Sequence, residues 1–565
     1  MLLVLLTVFS FLSAGLTAAD PLLVSLPYGT FRGFTVAGSN VTEFRGVPFG
    51  HSERFKAPTP PTPFRGVRNA TEYGPACPQQ AITPFGGVVT PPVYPTISED
   101  CLSLNVLKPR VTSPSMRLPV FVWIHGGGFS VGNSRDDDLH PLLERSIETN
   151  QPILVVSINY RLTALGFIGG KEAAAEGISN LGFRDQILAL RWIKQHISSF
   201  GGDPDRVVLG GVSAGSMSTA YLTLQNKYNS NSLFRGAFMV RLNEQESLHG
   251  LTCHIEKLKQ SGAAVHLETQ STGQSDYDDF VRKVNCTSSK SNTNTLDCLR
   301  RVSFELIMAA INEFPNIGSY QSVNLVWGPH VDGDVVERDA WSSIRRGMYA
   351  KIPMMATVCD DEGTLFSLST VNITTSDQFL DYVQTNFLHN ASAAEMTEMA
   401  RLYPDDPTQG SPFDTGTANV AGPEYKRTAA FMGDMLVSSP RRFLLEHASA
   451  RQDVWGSLNK MGKTVNGPLG AFHTSDGPIW FTNTTSLNYM GMDALLNFVN
   501  RLEPNIGPSS KNTALIWPKW NSVSKEGKSS LLTFGDEGVS ITADNFRKEA
   551  MDFLNGFREK HDGRI

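Results

Sequence analysis

Gly211-Val212-Ser213-Ala214-Gly215 is the stretch on which the reading of this chain turns. It follows the apolar run Val207-Val208-Leu209 and precedes Met217-Ser218-Thr219-Ala220-Tyr221-Leu222, which reads as a helix. A strand, a Gly-x-Ser-x-Gly turn and a helix form a nucleophile elbow, in which flanking glycines allow the tight turn and the serine is exposed at the top of a sheet. The pentapeptide alone does not separate this reading from an ordinary glycine-rich turn.

Upstream, Leu118-Pro119-Val120-Phe121-Val122-Trp123-Ile124 is a continuous apolar run, the pattern of a strand buried on both faces. It enters His125-Gly126-Gly127-Gly128-Phe129 directly. Glycines in a row let backbone N–H groups point into a cavity unobstructed. Donors fixed in that way can hold the anionic oxygen that forms when a serine attacks an ester. A flexible loop is the poorer account of a glycine triplet at the end of a buried strand.

An activated serine needs a base, and the base an orienting acid. In elbow enzymes the chain order is serine, acid, histidine. Val358-Cys359-Asp360-Asp361-Glu362-Gly363 follows the apolar Ile352-Pro353-Met354-Met355-Ala356, so the acids sit in a loop at a strand end. Asp360, Asp361 and Glu362 compete for the role, and a solvated acidic turn is the plain alternative. Of the 12 histidines, four follow this loop. His389 adjoins a glycosylation-type sequon and is expected at the surface. His447 falls in a helical stretch and His561 in the charged tail. His473, in Gly470-Ala471-Phe472-His473-Thr474-Ser475-Asp476, lies in a short loop of small residues, which favours it as the base.

With these pieces in place the chain resembles the type-B carboxylesterase/lipase family of the α/β-hydrolase fold, the broad group that also contains cholinesterases. The resemblance rests on Phe44-Arg45-Gly46-Val47-Pro48-Phe49-Gly50, Ser98-Glu99-Asp100-Cys101-Leu102-Ser103-Leu104-Asn105-Val106, Asn159-Tyr160-Arg161-Leu162, Phe200-Gly201-Gly202-Asp203-Pro204, Asp361-Glu362-Gly363 and the His473 loop. Phe498-Val499-Asn500-Arg501-Leu502-Glu503-Pro504-Asn505 and Trp517-Pro518 look most like secreted fungal members. The resemblance implies a central, mostly parallel sheet flanked by helices, with loops over an active-site gorge. It implies Ser213 as nucleophile, Glu362 as acid, His473 as base, and oxyanion donors at Gly127, Gly128 and Ala214. It also implies disulfides Cys77–Cys101 and Cys286–Cys298, leaving Cys253 and Cys359. No metal or organic cofactor is expected. The expected partner is a small-molecule or lipid ester, and activity should fall as His473 protonates, below a pH of roughly 6–7.

Two departures qualify the substrate. The family commonly carries glutamate just before the nucleophile, where this chain has Val212. The loss of that carboxylate near the histidine argues against choline esters. The loop from Pro78 to Pro95 is rich in proline and glycine, so it is not a long helix. In lipases of the family the matching loop is a helical lid. Here Ile82, Phe85, Val88 and Val89 could form an apolar rim, and the tryptophan on which cholinesterases seat their cation is missing. Both points favour a general esterase over an interfacially activated lipase. A third reading is an inactive isoform or a non-catalytic, cholinesterase-like binding protein, which in this family typically lacks the nucleophile or the histidine.

Composition suits a single large α/β domain over residues 20–565, with 41% hydrophobic residues to build a core. A formal net charge of -6 without a basic run gives no reason to expect nucleic acid or an anionic membrane as partner. Residues 1–19 read as a secretory leader cut after Ala19, and no later segment is long and apolar enough for an anchor. Sequons at Asn40, Asn69, Asn285, Asn372, Asn390 and Asn483 fit a glycosylated, extracellular protein. The oligomeric state leaves no mark in the sequence.

One interruption stands just past the elbow. Phe234-Arg235-Gly236-Ala237-Phe238-Met239 resembles the family's next strand, which normally runs straight into Gln-Ser-Gly; here Gln260-Ser261-Gly262 comes only after residues 240–259. The segment is expected to be a retained intron. Val240-Arg241 can be encoded with a donor splice sequence, Leu251-Thr252 with a branch point, and Lys259 can end in AG. A genuine surface insertion, helical from Glu246 to Lys259, is the rival.

Overall fold

The computed structural model describes residues 20–83, 94–112, 114–225, 232–240, 268–269, 273–287, 294–482, 485–505, 516–521 and 529–561. The expected leader, Phe85, Val88 and Val89 of the expected rim, Cys253, Asn483 and residues 241–259 of the expected insertion lie outside them.

Eleven strands form one sheet: β1 (Phe34–Thr35), β2 (Val41–Pro48), β3 (Ser103–Pro109), β4 (Leu118–Ile124), β5 (Leu154–Ile158), β6 (Gly202–Val212), β7 (Gly236–Val240), β8 (Met354–Cys359), β9 (Val454–Asn459), β10 (Ser530–Gly535) and β11 (Gly538–Ala543). Their order is β11-β10-β9-β8-β7-β6-β4-β5-β3-β2-β1. From β5 to β10 every neighbouring pair is parallel, and the pairs outside that block are antiparallel. The chain therefore has the α/β-hydrolase architecture of a mostly parallel sheet flanked by helices.

Alternation along each central strand explains the continuous apolar runs. Val120, Val122 and Ile124 of β4, Val207 and Leu209 of β6 and Ala237 and Met239 of β7 enter one core. That core also holds Met217 and Tyr221 of the helix Ala214–Leu224 and Leu190 and Ile193 of the helix Leu181–His196. Phe121 and Trp123, Val208 and Val212, and Phe238 and Val240 point the other way. They meet the helices His140–Glu148, Gly477–Phe481 and Ser486–Arg501. Successive strand side chains point to opposite faces, so strands covered on both faces must be apolar throughout. Val212 thus lies fully buried in the layer of Phe238 and Trp480; a glutamate there would put its carboxylate in that apolar layer.

A smaller core gathers the helices Gly273–Lys283, Thr295–Arg301 and Phe304–Asn312 around Phe280, Phe314 and Trp327. The disulfide Cys286–Cys298 ties the segment just after the first of these helices to the second, and Cys77–Cys101 closes the proline-rich loop. That loop is held to the smaller core at its start. Gln80 donates to the carbonyls of Ile311 (3.0 Å) and Phe314 (2.9 Å), and the Ala81 amide donates to Asn312 Oδ1 (2.8 Å). No helix among the described residues is long and apolar enough to cross a membrane. Asn40, Asn69, Asn285, Asn372 and Asn390 are all exposed.

Candidate active site

Strand direction assembles the site. In a parallel sheet all strand C-termini lie at one edge, and ligands bind in the crevice outside it. Gly127 and Gly128 follow β4, Ser213 follows β6, Glu362 follows β8, and His473 lies in the loop that leaves β9. Four segments remote in sequence thus reach the same edge of the sheet.

At the elbow, Ser213 has φ 61° and ψ -128°, a strained conformation for a residue with a side chain. Neighbouring glycines make the turn possible. A methyl group on Gly211 would stand 2.3 Å from the Gly215 carbonyl oxygen, and one on Gly215 would stand 2.0 Å from the carbonyl oxygen of Ile124 and 2.8 Å from that of His125. The elbow is therefore pressed against the end of β4, which brings Ala214 beside the glycine loop. The Ser213 amide donates to the Val240 carbonyl (3.3 Å). The hydroxyl is buried and makes no hydrogen bond among the described residues.

The glycine loop is held in shape by backbone geometry. Gly127 and Gly128 have φ of 105° and 59°, and the Gly127 carbonyl accepts from the amides of Ser130 (3.0 Å) and Val131 (2.9 Å). Among the described residues the Gly127 and Gly128 amides donate to no other backbone carbonyl. His125 is buried just past the end of β4. Its ring stacks on Tyr160 at 4.5 Å, and the Tyr160 hydroxyl donates to the His125 carbonyl (3.0 Å). Gln79 pairs with both backbone groups of Gly132.

The three competing acids separate by direction. Glu362 Oε2 lies 2.9 Å from His473 Nδ1, and its Oε1 accepts the Cys359 amide (2.5 Å). Asp360 faces Lys463 (2.6 Å), Lys460 (3.4 Å) and Arg547 (3.7 Å). Burial works to raise its carboxyl, but these cations hold it below the ordinary value. Asp361 turns to the backbone of Ala471 and Phe413. Burial and the adjacent Asp360 push the Asp361 carboxyl up to about 6. All three acids are buried, so the solvated acidic turn is not what forms.

His473 is fully buried, with the Phe366 ring 4.8 Å away. Its loop is tied down by Asn459, which donates to Ser475 Oγ (2.9 Å), and by Asp476, which accepts from Thr357 (3.0 Å) and Trp480 (3.3 Å). The other late histidines lie elsewhere. His389 is exposed, His447 sits in the helix Ser439–Ala448, and His561 is 3.5 Å from Glu395. Cys359 is buried and belongs to neither disulfide, with its Sγ 3.6 Å from Asp476 Oδ1 and 3.7 Å from Ser475 Oγ. Sequence reasoning missed Asp361 and Asp476 as supports of the histidine loop. Their signal is adjacency: one precedes the acid, the other follows His473 by three positions. No group of residues suited to a metal ion occurs among the described residues.

The model of the Carboxylesterase family matches residues 20–241 and 253–554. Lipase 4 of Diutina rugosa is 34% identical over 555 residues, covering 93% of this chain and 94% of that protein. Secreted lipase 1 of Botryotinia fuckeliana is 34% identical over 95% of this chain and 93% of its own length. Among solved structures, EstA of Aspergillus niger superimposes with a TM-score of 0.77 at 25% identity, covering 95% of this chain and 98% of that one.

Proposed function

The chain belongs to the carboxylesterase family and is a carboxylic ester hydrolase, and from that premise we propose that Ser213, His473 and Glu362 carry the reaction. The observation that carries the assignment is the buried 2.9 Å contact between Glu362 Oε2 and His473 Nδ1, at the sheet edge where the strained Ser213 turn also ends. A carboxylate on Nδ1 leaves Nε2 as the ring nitrogen available to a serine proton.

In the proposed cycle His473 Nε2 takes the Ser213 proton as Oγ attacks the ester carbonyl. The amides of Gly127, Gly128 and Ala214 receive the oxyanion. His473 then gives its proton to the departing alcohol. Water enters, is deprotonated by the same nitrogen, and releases the acid from the acyl-enzyme. Glu362 keeps the imidazole in the productive tautomer and balances its charge while it is protonated.

The substrate is a small-molecule or lipid ester. A triacylglycerol substrate is the second reading, favoured by the names of the relatives, which include a secreted triacylglycerol lipase of Gibberella zeae at 34% identity. We also propose that the protein is extracellular: the relatives' names, two disulfides and exposed sequon asparagines support this. The signal peptide at 1–19, glycosylation and a retained intron within 240–259 are proposals of the same kind. Val240 itself is the last residue of β7, and the family model leaves 242–252 unmatched. Transcripts joining Met239 to Gln260 would support the intron, and their complete absence would refute it.

The test is Ser213→Ala. It should remain folded, lose ester turnover and lose covalent labelling by a fluorophosphonate; retained turnover would reject the assignment. Soluble esters of graded acyl length set against emulsified triacylglycerol separate esterase from lipase.

A further inference from the structure

Glu362 and Asp361 are adjacent, yet they grip the histidine loop in different ways. Glu362 takes the ring of His473. Asp361 takes the main chain two residues earlier: its Oδ2 accepts the Ala471 amide (2.8 Å), and its own amide donates to the Ala471 carbonyl (3.0 Å). Its Oδ1 accepts the Phe413 amide (2.7 Å) and the Ser411 hydroxyl (3.0 Å), and Lys463 Nζ stands 3.5 Å from Oδ2. The side chain is fully buried. The close approach depends on Gly470, whose φ is 62°, since a methyl group there would lie 2.4 Å from Asp361 Oδ2.

We propose that Asp361 is a positioning residue for His473: by clamping Ala471 it sets where the imidazole stands relative to Ser213. The proposal rests on the reading of His473 as base. The lever from Ala471 to His473 is two residues long, and the Thr364 hydroxyl, which lies 2.7 Å from the carbonyls of both Asp361 and Leu469 and can donate to either, sits between the same two segments. An asparagine at 361 offers one acceptor oxygen where donors approach both oxygens of the carboxylate. One side of the clamp must then open, or a donor must face a donor. Reacting groups held in a near-attack arrangement tolerate little displacement, and a shift of about 1 Å costs on the order of 10²-fold in rate.

The experiment compares Asp361→Asn, Gly470→Ala and Asp360→Asn with the wild-type protein in ester hydrolysis. Asp360 is the control because it is buried beside Asp361 but its carboxylate faces Lys463, Lys460 and Arg547 instead of the loop backbone. Asp361→Asn and Gly470→Ala should each lower kcat per folded molecule by about 10²-fold with KM within about threefold, and the proton resonance between His473 Nδ1 and Glu362 should move. Asp360→Asn should lower the melting temperature while kcat per folded molecule holds. Gly470→Ala keeps every charge, so it decides the matter if Asp361→Asn fails to fold. Wild-type kcat in Asp361→Asn or Gly470→Ala, or an equal loss in Asp360→Asn, overturns the proposal. Ser213→Ala, assayed alongside, separates the two levels: an active Ser213→Ala protein defeats the catalytic reading itself, whereas an inactive one with unimpaired clamp variants defeats this inference alone.

Discussion

Glu362 holds His473 through one carboxylate oxygen while its other oxygen is fixed by the Cys359 amide at the end of β8. The carboxylate is thereby locked to the sheet, and in the proposed mechanism its direction is set before substrate arrives. Glu362→Gln preserves volume but presents an amide where a carboxylate must select the tautomer. In the comparable aspartate-to-asparagine change of a serine protease the loss is about 10⁴-fold in kcat. A loss of that order is expected here, read in steady-state hydrolysis of a soluble ester, and turnover close to that of the wild-type protein would remove Glu362 from the mechanism.

Gly127 has no room for a side chain. A methyl group would stand 2.0 Å from the Val131 carbonyl oxygen, at a φ of 105°. Gly127→Ala must therefore turn the peptide, and under the proposed mechanism it takes the amide away from the oxyanion. Losing one such donor costs about 10²–10³ in kcat. Thermal melting should show a folded protein, and labelling of Ser213 by a phosphonate should slow along with turnover.

Acid stability has a local source in a buried ion cluster. Asp544 is buried with Arg441 and Arg442 at 2.8 Å and accepts from Trp520 at 2.8 Å. Burial acts to raise its carboxyl, but the two guanidinium groups overcome this and hold it down to about 2. A carboxyl lowered on folding contributes stability that is present above its unfolded value and is lost as pH falls through the folded one. This contribution should vanish between about 3.9 and about 2. Asp544→Asn leaves two buried cations unmatched and should cost about 3–5 kcal/mol at neutral pH, measured by denaturant unfolding.

His140 gives the opposite window. Hydrogen bonds to Asp138 and Glu43 raise it to about 9 against the effect of burial. A group raised on folding stabilises fully below its unfolded value and ceases to do so as pH rises through the folded one. Unfolding free energy should therefore decline between about 6.5 and about 9. His140→Ala should flatten that slope; an unchanged slope would discount the cluster.

The Cys286–Cys298 bridge closes a loop with a sequence separation of 12 beside the small core. Replacing both cysteines by alanine should cost about 3 kcal/mol by restoring freedom to the unfolded chain. Loss of the helices Gly273–Lys283 and Thr295–Arg301 ahead of the main sheet, followed by hydrogen exchange, is the expected signature.

What could be read directly from the sequence was local. The elbow and the strand before the glycine loop are legible because apolar runs and glycine spacing are properties of neighbouring residues. The choice among Asp360, Asp361 and Glu362 is not local. Three carboxylates in a row have the same composition whichever way they point, and direction is set by Lys463, Arg547, Ala471 and His473, all distant in the chain. The same distance explains why the acidic turn reads as solvated yet is buried. His473 stands out by its loop of small residues, whereas its burial against Phe366 depends on β8 and β9 lying side by side.

The Ser213 amide hangs from the carbonyl of Val240, the final residue of β7. The last described residue of β7 is thus the mooring of the proposed nucleophile. A change of register at Val240 would thus be an edit to the proposed reactive centre, although along the chain the two residues stand far apart.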